Sequence, residues 1–260
     1  MRGIGRATAR RLASEGASIV ASGRRASGSP PAHELEAGWR GLPSLVEEIE
    51  AYGGSAIAVE GDVGEPADVA EIVGVALERF GRLDAVINNA GTGRFGPLLV
   101  DLDDAEWERV LRTNLTGTFL VSRAGARAMI DRGNGGAIVN VSSVAGRAGV
   151  ARMGAYSPAK FGVIGLTQAM ASELAAHGIR VNCVVPGGID TDLEDATLEN
   201  VAHELGVTED RARAARIRRI PLGRLGSPDE IAAAIAYLAS PDASYVTGQT
   251  LNVSGGPPFS

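Results

Sequence analysis

Ala137-Ile138-Val139-Asn140-Val141-Ser142-Ser143 is an apolar run closing on two serines, and Tyr156-Ser157-Pro158-Ala159-Lys160 begins thirteen residues after Ser143. The run predicts a strand over 138–141 with the Ser143 hydroxyl at its carboxyl end. Residues 155–176 carry helical periodicity and stop at Gly178, and 180–185 are apolar again. Strand, helix, strand in that order is the crossover unit of a parallel sheet, with the helix lying on one face.

The same alternation extends to both ends of the chain. Apolar runs at 17–22, 56–60, 84–88 and 249–253 predict further strands. Residues 4–15, 42–52, 67–80, 209–219 and 228–238 predict helices, and 103–131 predict one long helix capped by Asp103. Residues 26–41, with Pro30-Pro31 and Trp39, read as a loop insertion. The sum is an α/β fold: a Rossmann-like, doubly wound parallel sheet in three layers, helices on both faces, forming a single domain over 1–260. Length supports one large core, and 45% hydrophobic with 22% charged residues is ordinary for a globular chain. Net charge of −6 argues against nucleic-acid binding, and no apolar run is long enough for a bilayer. The single Cys183 suits a reducing compartment, so a cytoplasmic location is expected. Three scattered histidines show no metal spacing.

Tyr156 and Lys160 stand at i and i+4, on one helix face, so the ammonium can sit beneath the phenol. A phenol with an ordinary pKa of about 10 is a poor base at neutral pH, and a nearby cation is expected to bring it down. Alone, the pair reads equally well as two surface residues of an ordinary helix. Open α/β sheets bind ligands at the strand carboxyl ends, where Ser143 falls.

Other turns at those ends offer partners for a nucleotide. Gly3-Ile4-Gly5 opens the first helix, where free N–H groups and the helix dipole favour a pyrophosphate. Asp62-Val63 can meet an adenine amino group or serve as a helix cap. Asn88-Asn89-Ala90-Gly91 and Pro186-Gly187-Gly188-Ile189-Asp190-Thr191 follow strands, and each reads either as a nucleotide-facing turn or as a plain one.

Together and in this order, these pieces resemble the short-chain dehydrogenase/reductase family, of the 3-oxoacyl-carrier-protein reductase and glucose dehydrogenase type. The matching pieces are Arg2-Gly3-Ile4-Gly5, Asp62-Val63, Asn88-Asn89-Ala90-Gly91, Asn114-Leu115-Thr116-Gly117, Ser143, Tyr156 with Lys160, Pro186-Gly187 and the stretch 248–256. The resemblance implies Tyr156 as general acid/base and Ser143 as the group polarising a substrate carbonyl. It implies Lys160 as tuner of Tyr156 and binder of the nicotinamide ribose, and Asn114 as holder of a water in the proton relay. Cofactor contacts are implied at Arg2, Gly3, Ile4, Gly5, Arg24, Asp62, Val63, Asn89, Ala90, Gly91, Tyr156, Lys160, Pro186, Gly187, Ile189 and Thr191. It further implies NAD(P)-dependent hydride transfer on a small carbonyl or alcohol substrate, and a homotetramer or homodimer pairing helices around 104–131 and 155–176.

The sequence departs from the family at its start. The family pattern TGxxxGxG follows a central strand, whereas here Met1 and Arg2 fall inside the loop. A first strand between 17–22 and 84–88 is therefore expected to be missing from the sheet, leaving unpaired edges, with the protein's start upstream of Met1 and greater stability in the extended chain. The second strand ends in Ser22-Gly23-Arg24-Arg25, without the acid that pairs a ribose 2′-hydroxyl. With Arg2 beside the phosphate loop this points to NADP, NAD being the alternative. Residues 190–222 are polar and read as a mobile lid; Arg211, Arg213, Arg216, Arg218 and Arg219 there suit either an anionic substrate arm or a solvated helix face. The rival function is a catalytically inactive Rossmann-fold subunit with an assembly or regulatory role.

Overall fold

The computed structural model describes residues 3–24, 41–93 and 95–256. Arg2, Arg25 and the insertion up to residue 40 lie outside them. Helix α1 (Gly3–Ser14) stops where Gly16 adopts φ +95°, and the chain turns into β1 (Ser18–Gly23). Next come α2 (Leu42–Glu50), β2 (Ser55–Glu60), α3 (Pro66–Phe80) and β3 (Ala85–Asn88). Helices α4 (Asp104–Leu111) and α5 (Gly117–Arg132) lead to β4 (Gly136–Val141), α6 (Tyr156–Leu174) and β5 (Ile179–Pro186). The chain continues through α7 (Asp192–Leu205), α8 (Glu209–Arg218), α9 (Pro228–Ala239) and β6 (Thr250–Val253).

All strand pairs are parallel. Strands β3, β4, β5 and β6 lie side by side in chain order, while β1 and β2 form a separate pair, with Ser18 opposite Ser55. The division falls between β1 and β3, the place where the sequence reading puts its missing strand. The two edges do not pair with each other across it. Helix α1 spans the division: Ala9 and Ala13 pack with Ala21 of β1 and Leu45 of α2, whereas Ile4 joins Ile87 of β3 and the apolar face of α9.

Side-chain alternation along β4 makes the three layers. Ile138 joins Met129 of α5 and Met170 of α6 on one face, while Val139 and Val141 join Ile231, Ile235 and Leu238 of α9 on the other. Ile138 and Val139 are fully buried, each contributing about 1.5–3 kcal/mol through apolar burial. A strand buried on both faces should be apolar throughout, and Asn140 breaks the rule. Its amide is bonded at both ends: Asn88 Nδ2 donates to Asn140 Oδ1 (2.8 Å) and to Ser122 Oγ (2.8 Å), and Asn140 Nδ2 donates to Thr167 Oγ1 (2.9 Å). These bonds tie β3 to β4 and both strands to α5 and α6 beneath the carboxyl-end loops. Asn140→Ala strips a partner from Asn88 and from Thr167 in the dry core. Each keeps one bond, to Ser122 and to the Val163 carbonyl, and each lost bond costs about 1 kcal/mol, so the melting temperature should fall by about 4–8 °C. A circular dichroism melt unchanged by the substitution would contradict the network's role.

One expectation needs correction. The long helix over 103–131 is interrupted at Arg112–Thr116 by a π-helical turn. Asp103 does cap its first part, accepting from the Ala105 N–H at 2.7 Å. Residues 190–222, expected as a lid, hold the expected helix α8 and also α7, and their Leu198, Ala202 and Ala212 form a small core of their own. Thr191 and Thr208 cap the two helices. The polar composition is an exposed surface around a narrow apolar contact, a pattern too sparse for periodicity to reveal.

Candidate active site

The carboxyl ends of the strands open into one cleft of about 1120 Å³. Its lining runs from Gly3 and Ile4 at the start of α1, past Arg24, Asp62, Val63, Asn89, Ala90 and Gly91, to Ser143, Tyr156 and Lys160, and on to Pro186, Gly187, Ile189 and Thr191. Thus most of the expected site residues border a single space. Gly5 and Asn114 do not border it.

The local folding explains this convergence. Strand β4 delivers Ser143 at its carboxyl end, where the hydroxyl accepts from the Ala145 N–H (3.2 Å) and caps a short 3₁₀ turn. That turn and α6 are pinned together: Ser157 Oγ donates to the Ala145 carbonyl (2.7 Å) and Ser142 Oγ to the Lys160 carbonyl (2.8 Å). Tyr156 is the first residue of α6, so it meets Ser143 across the turn. Lys160, one turn on, is 4% exposed, and its Nζ donates to the Val141 carbonyl at 2.8 Å. The same Nζ lies 5.6 Å from the centre of the Tyr156 ring.

The electrostatics differ from expectation. Burial pushes the Tyr156 phenol above its ordinary value; the Ser143 hydroxyl opposes that, and the Glu194 carboxylate adds to it. Tyr156 is half-buried at the edge of the cleft. The Lys160 ammonium, bonded to the Val141 carbonyl, is not among the causes of that shift. Burial lowers Lys160 itself to about 8. A phenol held protonated is suited to giving its proton away. Cys183 is buried, and its thiol is pushed up to about 11, which removes it as a nucleophile at neutral pH.

Asn114 sits in the π-helical turn, fully buried. Its Nδ2 donates to the carbonyls of Thr92 (2.6 Å) and Val110 (2.9 Å), and its Oδ1 accepts from the Thr92 N–H (3.3 Å). It therefore clamps the loop after β3, which carries Asn89, Ala90 and Gly91. A Cβ on Gly91 would stand 3.0 Å from Asn114 Oδ1 and 3.5 Å from Lys160 Nζ, so the bare backbone keeps open a cradle beside the lysine. A Cβ on Gly187 would meet the Ser254 backbone at 2.7 Å, which forces glycine there.

The donor set fits a dinucleotide. The first turn of α1 carries no acid, and its free N–H groups face the cleft's far end, where an anion is favoured. Thr191, the N-cap of α7, stands over it, with its Cγ2 3.0 Å from where a Gly3 Cβ would be. Asp62 is held rigidly: its N–H donates to Asp68 (2.7 Å) and its Oδ1 accepts from the Gly64 N–H (2.8 Å). Arg24 lies at the end of β1 in a weak, open pair with Asp62, Nη1 to Oδ2 3.9 Å. Arg2 falls outside the described residues.

Sequence reasoning missed the cleft's apolar wall: Phe95, Val150 and Met153 from the loops and Leu193, Leu198, Val201 and Leu205 from α7. They form no regular pattern in the sequence, and some are exposed, as with Leu205, 67% exposed on an otherwise polar helix.

A family model described as enoyl-(acyl carrier protein) reductase matches residues 1–257. An L-rhamnose 1-dehydrogenase (NAD(P)(+)) of Azotobacter vinelandii is 42% identical, over 98% of this chain and 92% of that protein. A 3-oxoacyl-[acyl-carrier-protein] reductase of Synechocystis is 39% identical, again over 98% and 92%. Among solved structures, a variant of actinorhodin polyketide ketoreductase with NADPH superimposes with a TM-score of 0.88 and 36% identity, covering 98% of this chain and 92% of that one. With the site's geometry, these matches place the chain in the short-chain dehydrogenase/reductase family of NAD(P)-dependent oxidoreductases.

Proposed function

We propose that this protein reduces a carbonyl, or oxidises the matching secondary alcohol, with Tyr156 handling the proton and NADP as cofactor, NAD being the alternative. The observation carrying this reading is that Ser143, Tyr156 and Lys160 meet on one wall of a cleft whose far end is the open start of α1. When bound, the nicotinamide cofactor supplies or accepts the hydride. Ser143 donates a hydrogen bond to the carbonyl oxygen and draws charge onto it. Tyr156, kept protonated by burial, gives its proton to that oxygen in reduction and takes it back in oxidation. Lys160, anchored on the Val141 carbonyl, presents its remaining N–H donors to the ribose hydroxyls beside Gly91. Asn114 positions the loop after β3 and, by family resemblance, holds a relay water. The rival reading of an inactive subunit gains nothing from the relatives, which are named as dehydrogenases and reductases.

For the cofactor, Arg24 turns from its exposed pair with Asp62 to the 2′-phosphate, which such a weak pair permits. NADPH should therefore outperform NADH, and Arg24→Asp should cut that preference by at least about tenfold. Steady-state rates with both cofactors and a panel of β-ketoacyl thioesters, sugars and small ketones test this. Equal kcat/KM for NADPH and NADH in the parent protein would contradict it. No helix among the described residues is long and apolar enough to cross a membrane, and the single buried cysteine supports a cytoplasmic location. Assembly is proposed as a homotetramer or homodimer through α4, α5 and α6. Phe119 and Phe161 stand 39% and 44% exposed on these helices, and a clean monomer in light scattering would contradict the proposal.

A further inference from the structure

The chain carries a net charge of −6, yet helix α8 and the residue after it carry five arginines. Two of them are neutralised. Arg213 pairs with Asp190 (3.3 Å) and with Asp195, and Arg216 Nε donates to Glu194 Oε1 at 2.8 Å. The other three, Arg211, Arg218 and Arg219, line the same cleft as Tyr156 and are exposed to solvent. Among the described residues, no carboxylate pairs with any of their guanidinium groups. Of the acids facing them from α7, Glu194 is taken by Arg216, and Asp192 sits in the first turn of the helix, where the dipole favours it. Unpaired arginines on a solvated face need no explanation. Three of them bordering a reaction cleft, in an acidic protein whose neighbouring arginines are paired, do. Leu198, Val201 and Leu205 of α7 line the same cleft.

We propose that Arg211, Arg218 and Arg219 select a substrate whose arm is apolar along its length and ends in an anion, a carboxylate or a phosphate. This rests on the reductase reading of the site. Guanidinium groups pair with either anion through charge-assisted, forked hydrogen bonds. The α7 residues hold the chain between the anion and the carbonyl.

The test uses matched probes on the NADPH-saturated protein: 7-oxooctanoate against its methyl ester, and 6-oxoheptyl phosphate against 7-hydroxyheptan-2-one. Calorimetric titration should show one or both anions binding about five- to thirtyfold tighter than their neutral counterparts at low salt, since exposed pairs are individually weak. The advantage should shrink in concentrated salt. Tightening confined to the carboxylate marks an oxo acid as the substrate class, and tightening confined to the phosphate marks a phosphorylated one. The triple substitution Arg211→Gln, Arg218→Gln, Arg219→Gln should abolish the advantage while leaving the neutral probes and the melting temperature unchanged. Arg79→Gln, an exposed arginine of α3 outside the cleft, controls for the loss of a surface charge. Equal affinities within each pair, or anion binding seen only without NADPH, would overturn the proposal. Turnover is a separate readout: if no neutral ketone is reduced, the reductase reading fails, whereas the anion preference is decided by the affinities alone.

Discussion

Tyr156→Phe should lower kcat for carbonyl reduction by about 10²–10⁴-fold, the usual worth of a positioned general acid. NADPH affinity should stay within about twofold of the parent, because the substitution deletes one hydroxyl and nothing that holds the fold. Tyr156 starts α6, and its backbone N–H donates to the Met153 carbonyl (2.9 Å) with or without the phenol oxygen. The ring remains against Gly93, where a Cβ would approach Tyr156 Cδ2 to 2.5 Å. The burial that raises the phenol's pKa keeps the acid form populated across the neutral range. Reduction should therefore not decline until the pH approaches the phenol's raised value or another group titrates first. Initial rates and a fluorescence titration separate turnover from binding. More than half the parent activity in Tyr156→Phe would remove the tyrosine from the mechanism.

Lys160→Met should produce an opposite pair of changes: a protein more stable at neutral pH and far less active. The ammonium is 4% exposed, and burial lowers its pKa to about 8. The sign follows from linkage. The unfolded chain binds this proton up to about pH 10.4, while the folded chain releases it near 8. Folding therefore opposes protonation, and stability contributed by this site rises as pH climbs from about 8 to 10. At pH 7 the buried charge costs about 3 kcal/mol on that arithmetic, and the lost bond to the Val141 carbonyl returns about 1 kcal/mol. A net gain of about 2 kcal/mol should raise the melting temperature by about 4–8 °C and flatten its pH dependence above 8. Turnover should fall at least about 100-fold and NADPH affinity should weaken, since the ribose loses its cation. In the parent protein that affinity should decline as pH rises through about 8. A melt lowered by Lys160→Met would mean the charge is better compensated in the fold than one carbonyl allows. A site retaining a destabilising charge is a common trade of stability for activity.

Much of this site was legible in the sequence because its chemistry sits at strand ends, and strand ends are marked by abrupt changes of composition. Val141-Ser142-Ser143 passes from apolar to hydroxyl in one step, and the i,i+4 spacing of Tyr156 and Lys160 fixes a shared helix face whatever surrounds it. What the sequence withheld was direction. Nothing in Tyr156-Ser157-Pro158-Ala159-Lys160 shows that the lysine turns back to the Val141 carbonyl, or that burial raises the phenol's pKa. Asn140 was read as one residue of an apolar run. Its bonds to Asn88 and Thr167 join residues 52 and 27 positions away, beyond any local pattern. The π-helical turn at Asn114 was hidden because 103–131 keeps helical composition throughout. The place where the family pattern puts a strand appears as the division between β1 and β3; that expectation came from the resemblance.

The central claim is that hydride moves between a nicotinamide and a carbonyl carbon in the cleft beside Tyr156. It is tested most directly by incubating the protein with NADPH stereospecifically deuterated at C4, in separate reactions for each face, with a ketone it accepts. The alcohol is then examined by mass spectrometry. The account predicts one deuterium at the carbinol carbon from one of the two labelled cofactors, with the rate of incorporation falling in step with kcat in Tyr156→Phe. Alcohol formed without deuterium from either cofactor, or incorporation as fast in Tyr156→Phe as in the parent, would contradict it.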